Sequence, residues 1–117
     1  MGRLTTHILD TANGCPASGV RIDLFSVDDD GALTDMASAT TNSDGRVDGP
    51  VLEGDAFVAG VYELQFHVGA YFAGATALDG PAFLDVVPVR FGIAATDEHY
   101  HVPLLISPFG YSTYRGS

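Results

Sequence analysis

The feature that most constrains the fold of this chain is an alternation of apolar and polar residues with a period of two. Val20, Ile22 and Leu24 alternate with polar neighbours, and the same pattern recurs at 62–68 and at 87–93. Successive side chains of a β-strand point to opposite faces, so these segments are predicted to be half-buried strands. Residues 5–10 and 100–106 indicate two further strands, and residues 33–41 and 109–115 carry weaker versions of the pattern.

Turn signals separate these strands. Clusters rich in Asn, Asp and Gly lie at 12–14, 28–31 and 42–45, and the one helical candidate is a short segment at 69–78. Six or more short strands divided by such turns favour an antiparallel β-sandwich. We therefore predict an all-β chain forming a single domain over residues 1–117. Pro88 and Pro103 are expected at sheet edges or bulges, because proline has no N–H to donate to a ladder.

Charge and composition exclude several classes of function. Fifteen acidic residues oppose five basic ones, all arginine, for a formal net charge of -10. This field repels nucleic acid, which needs clustered cations. The sequence contains no apolar run long enough to span a bilayer, and no apolar stretch of a signal peptide follows Arg3, so we expect a cytoplasmic protein without a membrane partner. The Asp-rich, lysine-free balance also suggests a salt-adapted source.

Three histidines are candidates for proton transfer. His7 lies in the first predicted strand with Thr5 and Leu9 on its face, and His99 and His101 share a face of a later strand. Histidine is the side chain best suited to move protons near neutral pH. A hydrogen-bonded structural role for His7 and a solvated position for His99 are the alternatives, and the three together could also make a zinc site.

Other candidates are weighed in the same way. Arg46 follows a turn ending at Gly45, and it is either a surface charge or a planar donor for a carbonyl-rich ligand. Ser112 lacks the Gly-x-Ser-x-Gly setting of a covalent nucleophile, so a hydrogen-bonding role is expected. Cys15, the one cysteine, is interpreted as a small turn residue because no basic neighbour lowers its pKa. We interpret His67 as a surface residue, and the aromatic side chains at 62, 66, 71 and 72 as core.

The longest motif is the C-terminal stretch HYHVPLLISPFGYSTYRGS at 99–117. Together with LTTHILD at 4–10, TNSDGR at 41–46 and YEL at 62–64, it resembles the 5-hydroxyisourate hydrolases, the enzyme branch of the transthyretin family. The resemblance covers nearly the whole chain. Phe109 and Ile106 depart from the residues common there, and neither is a proposed site residue. The resemblance implies a transthyretin-like, eight-stranded, two-sheet β-sandwich with one short helix.

The same resemblance implies function. It implies hydrolysis of 5-hydroxyisourate to 2-oxo-4-hydroxy-4-carboxy-5-ureidoimidazoline in urate degradation, with no cofactor and no metal. It also implies a homotetramer with its sites between dimers. The catalytic residues expected from it are His7, Arg46 and His101, and the expected substrate-binding residues are Ser112, Tyr114, Arg115, Gly116 and Ser117. The alternatives are a carrier of a small hydrophobic ligand and, less favoured, a structural module of a larger extracellular protein.

Overall fold

Two β-sheets pack face to face in the computed structural model, which describes residues 2–73 and 80–116. Within these residues the elements, in chain order, are β1 (Arg3–Asp10), β2 (Cys15–Pro16), β3 (Arg21–Val27), β4 (Leu33–Thr40), β5 (Leu52–Glu53), β6 (Gly60–His67), α1 (Val68–Ala73), β7 (Val86–Ile93), β8 (His99–Ser107) and β9 (Gly110–Thr113). The predicted β-sandwich with one short helix is confirmed. The helix was predicted over 69–78, and residues 74–78 lie outside the described residues.

The first sheet has the order β2-β1-β8-β9, with β5 paired to β1, and the second has the order β4-β3-β6-β7. Neighbouring strands are antiparallel except β1 and β8, which run parallel and bring Thr5 opposite His101. Nine strands are present in the described ranges, where eight were expected. The two-residue strands β2 and β5 are too short to show any periodicity in the sequence.

The core lies between the sheets and follows the predicted alternation. Every second residue of β1 and β8 is buried, as are alternate residues over 22–24 in β3 and 62–66 in β6. The fully buried side chains include Leu4, Ile8, Ile22, Leu24, Leu64, Phe66, Leu104 and Ile106. Burying apolar side chains of this size stabilises the fold by about 1.5–3 kcal/mol each. The aromatic residues at 62, 66 and 72 are also in the core, as predicted, and Tyr71 packs against it. The remaining face of each strand is left for polar groups.

The two strand prolines have different positions. Pro88 lies in the edge strand β7, as predicted. Pro103 was expected at an edge or bulge, and that prediction is wrong, since β8 is an interior strand between β1 and β9. The pairing of β8 with the C-terminal segment is interrupted beside Pro103. Leu104 pairs with Thr113, and pairing resumes only where His101 meets Gly116. The Thr113 hydroxyl donates to the Pro103 carbonyl at 2.7 Å, so this carbonyl has a side-chain partner where the backbone pairing is interrupted.

No helix in the described ranges is long and apolar enough to cross a membrane.

Candidate functional site

The outward face of the first sheet carries the candidate residues. In β1 the buried positions are Leu4, Thr6, Ile8 and Asp10, so Thr5 and His7 point away from the core. In β8 Tyr100 and Val102 are buried, so His101 points the same way as Thr5, its partner in register. A pocket of about 460 Å³ opens on this face, lined by Arg3, Thr5, Thr6, Arg46, Val47, Gly49, Pro50, His99 and His101.

A tight turn brings Arg46 against His7. Gly45 has φ of 73°, and a Cβ there would lie 2.4 Å from the carbonyl oxygen of Ile8, so this position requires glycine. The Asn42 side-chain oxygen accepts the backbone N–H groups of Asp44 and Arg46 at 2.9 and 3.1 Å. A β-bridge then joins Arg46 to His7. The turn motif at 42–45 thus places the guanidinium at the pocket, which supports the ligand-donor interpretation of Arg46.

His7 is held by the same turn. Its Nε2 is 2.9 Å from the carbonyl oxygen of Asp44. A carbonyl accepts hydrogen bonds and cannot donate, so Nε2 must carry the proton of this bond. In neutral His7 the lone pair is therefore on Nδ1, a tautomer set by the fold.

His99 and His101 share one hydroxyl. The Thr5 Oγ1 is 2.7 Å from Nε2 of His99 and 2.7 Å from Nδ1 of His101, and the two ring centroids are 6.1 Å apart. In the described parts of the chain, no three histidine, cysteine or carboxylate side chains are grouped so that they could hold a metal ion. The pair is arranged for hydrogen bonding through Thr5.

The electrostatics of the pocket favour a neutral His101. Burial lowers the pKa of His101, and the nearby Arg46, His99 and His7 lower it further. No carboxylate lines the pocket within the described residues, although the chain as a whole carries a net charge of -10. The site therefore combines an uncharged imidazole, which can accept a proton, with arginines that attract negative charge.

The C-terminal segment closes against His101. The N–H of Gly116 donates to the His101 carbonyl at 2.8 Å, and a Cβ on Gly116 would lie 2.7 Å from Cδ2 of the His101 ring. Only glycine permits this approach without a shift of the imidazole. Gly116 therefore sets the position of the ring.

The other tail residues divide between the two faces of the sheet. Ser112 pairs with Leu105 and is exposed on the outward face, and Tyr114 is 60% exposed. Arg115 was expected to bind substrate, but the structure does not bring it to the pocket. Its guanidinium bonds Glu98 at 2.9 Å and lies 4.0 Å from the centroid of the Tyr100 ring, on the opposite face, because neighbouring residues of an extended segment alternate. Ser117 lies outside the described residues.

Of the polar pocket residues that point outward with His7, sequence reasoning did not single out Arg3 and Thr5, and it left the role of His99 open. Arg3 and Thr5 share the face of His7 by the period of two, and that period was the available signal. The parallel pairing of β1 with β8 puts Arg3 opposite His99 and Thr5 opposite His101, and no local pattern encodes this pairing. His99, weighed as a ligand or a solvated residue, lines the pocket. His67 is half-buried on the other sheet, where its Nε2 is 2.8 Å from a carboxylate oxygen of Asp23.

Comparison with known proteins places this geometry in context. The profile of the HIUase/Transthyretin family matches residues 4–116. A relative from Rhizobium meliloti (strain 1021), 5-hydroxyisourate hydrolase 2, is 62% identical over 99% of this chain and 97% of its own length. The structure of Klebsiella pneumoniae 5-hydroxyisourate hydrolase superposes with a TM-score of 0.81 at 37% identity, covering 100% of both chains. Sea bream transthyretin in complex with thyroxine superposes with a TM-score of 0.87 at 30% identity, covering 97% of this chain and 94% of its own.

Proposed function

Since the chain belongs to the HIUase/Transthyretin family, we propose that it hydrolyses 5-hydroxyisourate to 2-oxo-4-hydroxy-4-carboxy-5-ureidoimidazoline, a step of urate breakdown. The observation that carries this proposal is that Arg46 and His101 line one pocket on the outward face of the first sheet, while His7 is not part of the pocket lining and lies beside Arg46 through their β-bridge. The named hydrolase relative is 62% identical to this chain over nearly its whole length. The solved structure of a hydrolase covers all of it.

The reaction adds water across a ring C–N bond, and each group has a part in it. Neutral His101 takes a proton from the attacking water, and a C–O bond forms at the ring carbonyl carbon. The carbonyl oxygen becomes an oxyanion, which the Arg46 guanidinium stabilises. The C–N bond then breaks, and the leaving nitrogen receives the proton that His101 had taken. His7, with Nε2 bound to the Asp44 carbonyl, contributes the other ring nitrogen as an acceptor for a substrate N–H.

The C-terminal segment supplies the rest of the binding site in this proposal. Ser112 and Tyr114 are on the outward face and offer hydroxyl groups to the substrate. Gly116 lies directly beside His101, where its backbone is placed to orient the ring, and the proposal also assigns substrate binding to Ser117, the next residue in the sequence. Arg115 contributes by anchoring this segment through Glu98 and Tyr100, and not by touching the substrate.

A hydrophobic-ligand carrier with the same fold is the alternative function. Sea bream transthyretin, whose structure contains thyroxine, shares the fold at 30% identity. Against this alternative, the pocket of the present chain is lined by Arg3, Arg46, His99 and His101. Charged and titratable side chains are costly neighbours for an apolar ligand. Hydrolysis of a carbonyl-rich ring uses these groups, and a carrier does not.

The proposal includes assembly and location. The pocket is open to one side of a single chain, on the outward face of the first sheet. Copies of the chain packed over this face, as a homotetramer with sites between dimers, would enclose the substrate. Sedimentation velocity should give a tetramer, and a fully active monomer would contradict this part. A cytoplasmic location is proposed as well, and cell fractionation tests it.

The test of function is an assay of freshly generated 5-hydroxyisourate by its ultraviolet decay. The wild type should accelerate decay well above the spontaneous rate, and His101→Asn and Arg46→Ala should each lose that acceleration by at least about 100-fold. His67→Asn and Arg21→Ala are matched controls, because both residues lie on the second sheet, and they should keep it. A wild type that leaves the spontaneous rate unchanged would favour the carrier.

A further inference from the structure

Thr5 occupies an unusual position between two imidazoles. Its hydroxyl oxygen is 2.7 Å from Nε2 of His99 on one side and 2.7 Å from Nδ1 of His101 on the other. All three side chains are partly buried and line the pocket. The register of the parallel pair β1 and β8 produces this arrangement, because it puts Thr5 directly opposite His101.

Counting protons limits what this group can do. A hydroxyl donates one hydrogen bond, so Thr5 can donate to only one histidine and must accept from the other. In the first arrangement Thr5 donates to His99 and accepts from Nδ1–H of His101, which leaves Nε2 of His101 unprotonated. In the second, Thr5 donates to Nδ1 of His101, and neutral His101 then carries its proton on Nε2. The direction of the hydroxyl thus decides whether the free nitrogen of His101 is a base or an acid.

We propose that Thr5 is a positioning residue that joins His99 and His101 into one proton-carrying unit and sets which nitrogen of His101 is free to act as a base. The role in turnover rests on the proposed hydrolysis, in which His101 takes a proton from water. The hydrogen-bonded unit itself rests on the geometry alone.

Protons are conserved as they move through Thr5, His99 and His101 during turnover. As Nε2 of His101 takes a proton from water, Nδ1 gives its proton to the Thr5 oxygen, and the Thr5 hydroxyl proton passes to Nε2 of His99. His101 ends neutral with Nε2–H, Thr5 is again a hydroxyl, and His99 carries the positive charge. Protonation of the leaving nitrogen by Nε2–H runs the same transfers in reverse. No co-reactant is needed, since the reaction consumes only water and substrate.

The surrounding charges disfavour a positive charge on His101. The charged and titratable groups near the pair are Arg3 and His7 of β1 and Arg46 of the turn, while Glu98 is engaged by Arg115 on the opposite face. Burial and the Arg46 charge disfavour a cationic His101. Passing the proton to His99 lets His101 work without itself becoming an imidazolium.

The first experiment reads tautomers in the free protein without any substrate. In protein labelled with ¹⁵N-histidine, long-range ¹⁵N–¹H spectra distinguish Nδ1–H from Nε2–H. We expect the resting His101 to carry its proton on Nδ1 and Thr5→Val to shift it toward Nε2, with His99 changing in step. Thr11→Val is the matched control, because Thr11, directly after β1, also bonds β8 through its hydroxyl, which donates to the Ile106 carbonyl. Unchanged His101 and His99 tautomers in Thr5→Val would overturn the proposal, whatever the protein's activity.

The second experiment measures turnover against pH. Thr5→Val should lower kcat by about 100-fold with little change in KM. The reason is that His101 then carries its proton on Nε2 and cannot act as the base there, while the groups that bind substrate are unchanged. Thr5→Ser restores the hydroxyl and should recover most of that loss, and Thr11→Val should behave as wild type. A Thr5→Val enzyme with normal kcat and an unchanged pH profile would refute the relay while leaving the proposed hydrolysis standing. A wild type without hydrolase activity would refute the proposed hydrolysis. The tautomer spectra would still show whether Thr5, His99 and His101 form one hydrogen-bonded unit.

Discussion

At the scale of single residues, the charges around His101 decide how the site responds to pH. Burial and the positive neighbours lower the pKa of this imidazole below the ordinary histidine value of about 6.5. A histidine with a lowered folded pKa is protonated more readily in the unfolded chain. Its contribution to stability is therefore complete above the unfolded pKa and declines as the pH falls below it.

Removing the charge of Arg46 should raise the pKa of His101, because the repulsion between the guanidinium and a protonated imidazole is lost. The measurement is an NMR titration of the His101 ring protons in wild type and in Arg46→Ala. In wild type, kcat/KM should also hold its value at pH 6.5, where an ordinary histidine is about half protonated.

Arg21→Ala is the control for this titration, since Arg21 bonds Asp23 on the second sheet. An Arg46→Ala protein with an unchanged or lower His101 pKa would show that burial alone sets the value.

Gly116→Ala should disable the site while leaving the fold intact. The new methyl would lie 2.7 Å from Cδ2 of His101, so the ring must shift. A displacement of about 1 Å in a catalytic group costs on the order of 100-fold, and we expect a loss of that size in kcat/KM with an unchanged circular dichroism spectrum. Gly110→Ala is the matched control, because its methyl meets only the Ser107 hydroxyl at 3.7 Å. Equal activities of the two variants would contradict a positioning role for Gly116.

At the scale of elements, the turn that carries Arg46 tolerates little change at Gly45. Gly45→Ala combines a positive φ of 73° with a methyl 2.4 Å from the backbone oxygen of Ile8. We expect a loss of at least about 3 kcal/mol in the free energy of unfolding, measured by urea denaturation. Gly31→Ala has a similar φ of 85° and nothing within 4 Å, so it should cost only about 1–2 kcal/mol. Equal losses of unfolding free energy in Gly45→Ala and Gly31→Ala would mean that the backbone shifts and the clash with the Ile8 oxygen does not form.

Among the strands, prediction from sequence succeeded where one face is buried. The alternation in β3, β6 and β7 is visible because burial on one face forces apolar residues into every second position. In β4 all positions are exposed or half-buried, so its pattern was weak. The position of Pro103 was predicted wrongly, because the rule for proline assumes a continuous ladder. Here the pairing lapses at that point and Thr113 bonds the proline carbonyl.

At the scale of the whole molecule, the net charge of -10 should make stability depend on salt. Repulsion between the many carboxylates opposes compaction, and the screening length falls from about 10 Å at 0.1 M salt to about 3 Å at 1 M. We expect Tm to rise with sodium chloride over this range, where each kcal/mol gained is worth about 4 °C.

The control for this measurement is the double variant Asp28→Asn with Asp29→Asn, which removes two exposed charges in one turn. It should show a smaller salt dependence of Tm. A wild-type Tm that stays flat from low to molar salt would refute the expected salt adaptation.

The local pattern of the sequence determined the strands, their buried faces, the glycine turn before Arg46 and the candidates His7 and His101. These are properties of neighbouring residues, expressed through a period of two and through backbone preferences. The tertiary structure alone decided that β1 runs parallel to β8, so that Thr5 meets both His99 and His101 across about ninety-five residues of chain. It also turned Arg115 away from the pocket and put Gly116 against His101. Such contacts depend on the pairing of distant strands, and no short stretch of sequence encodes that pairing.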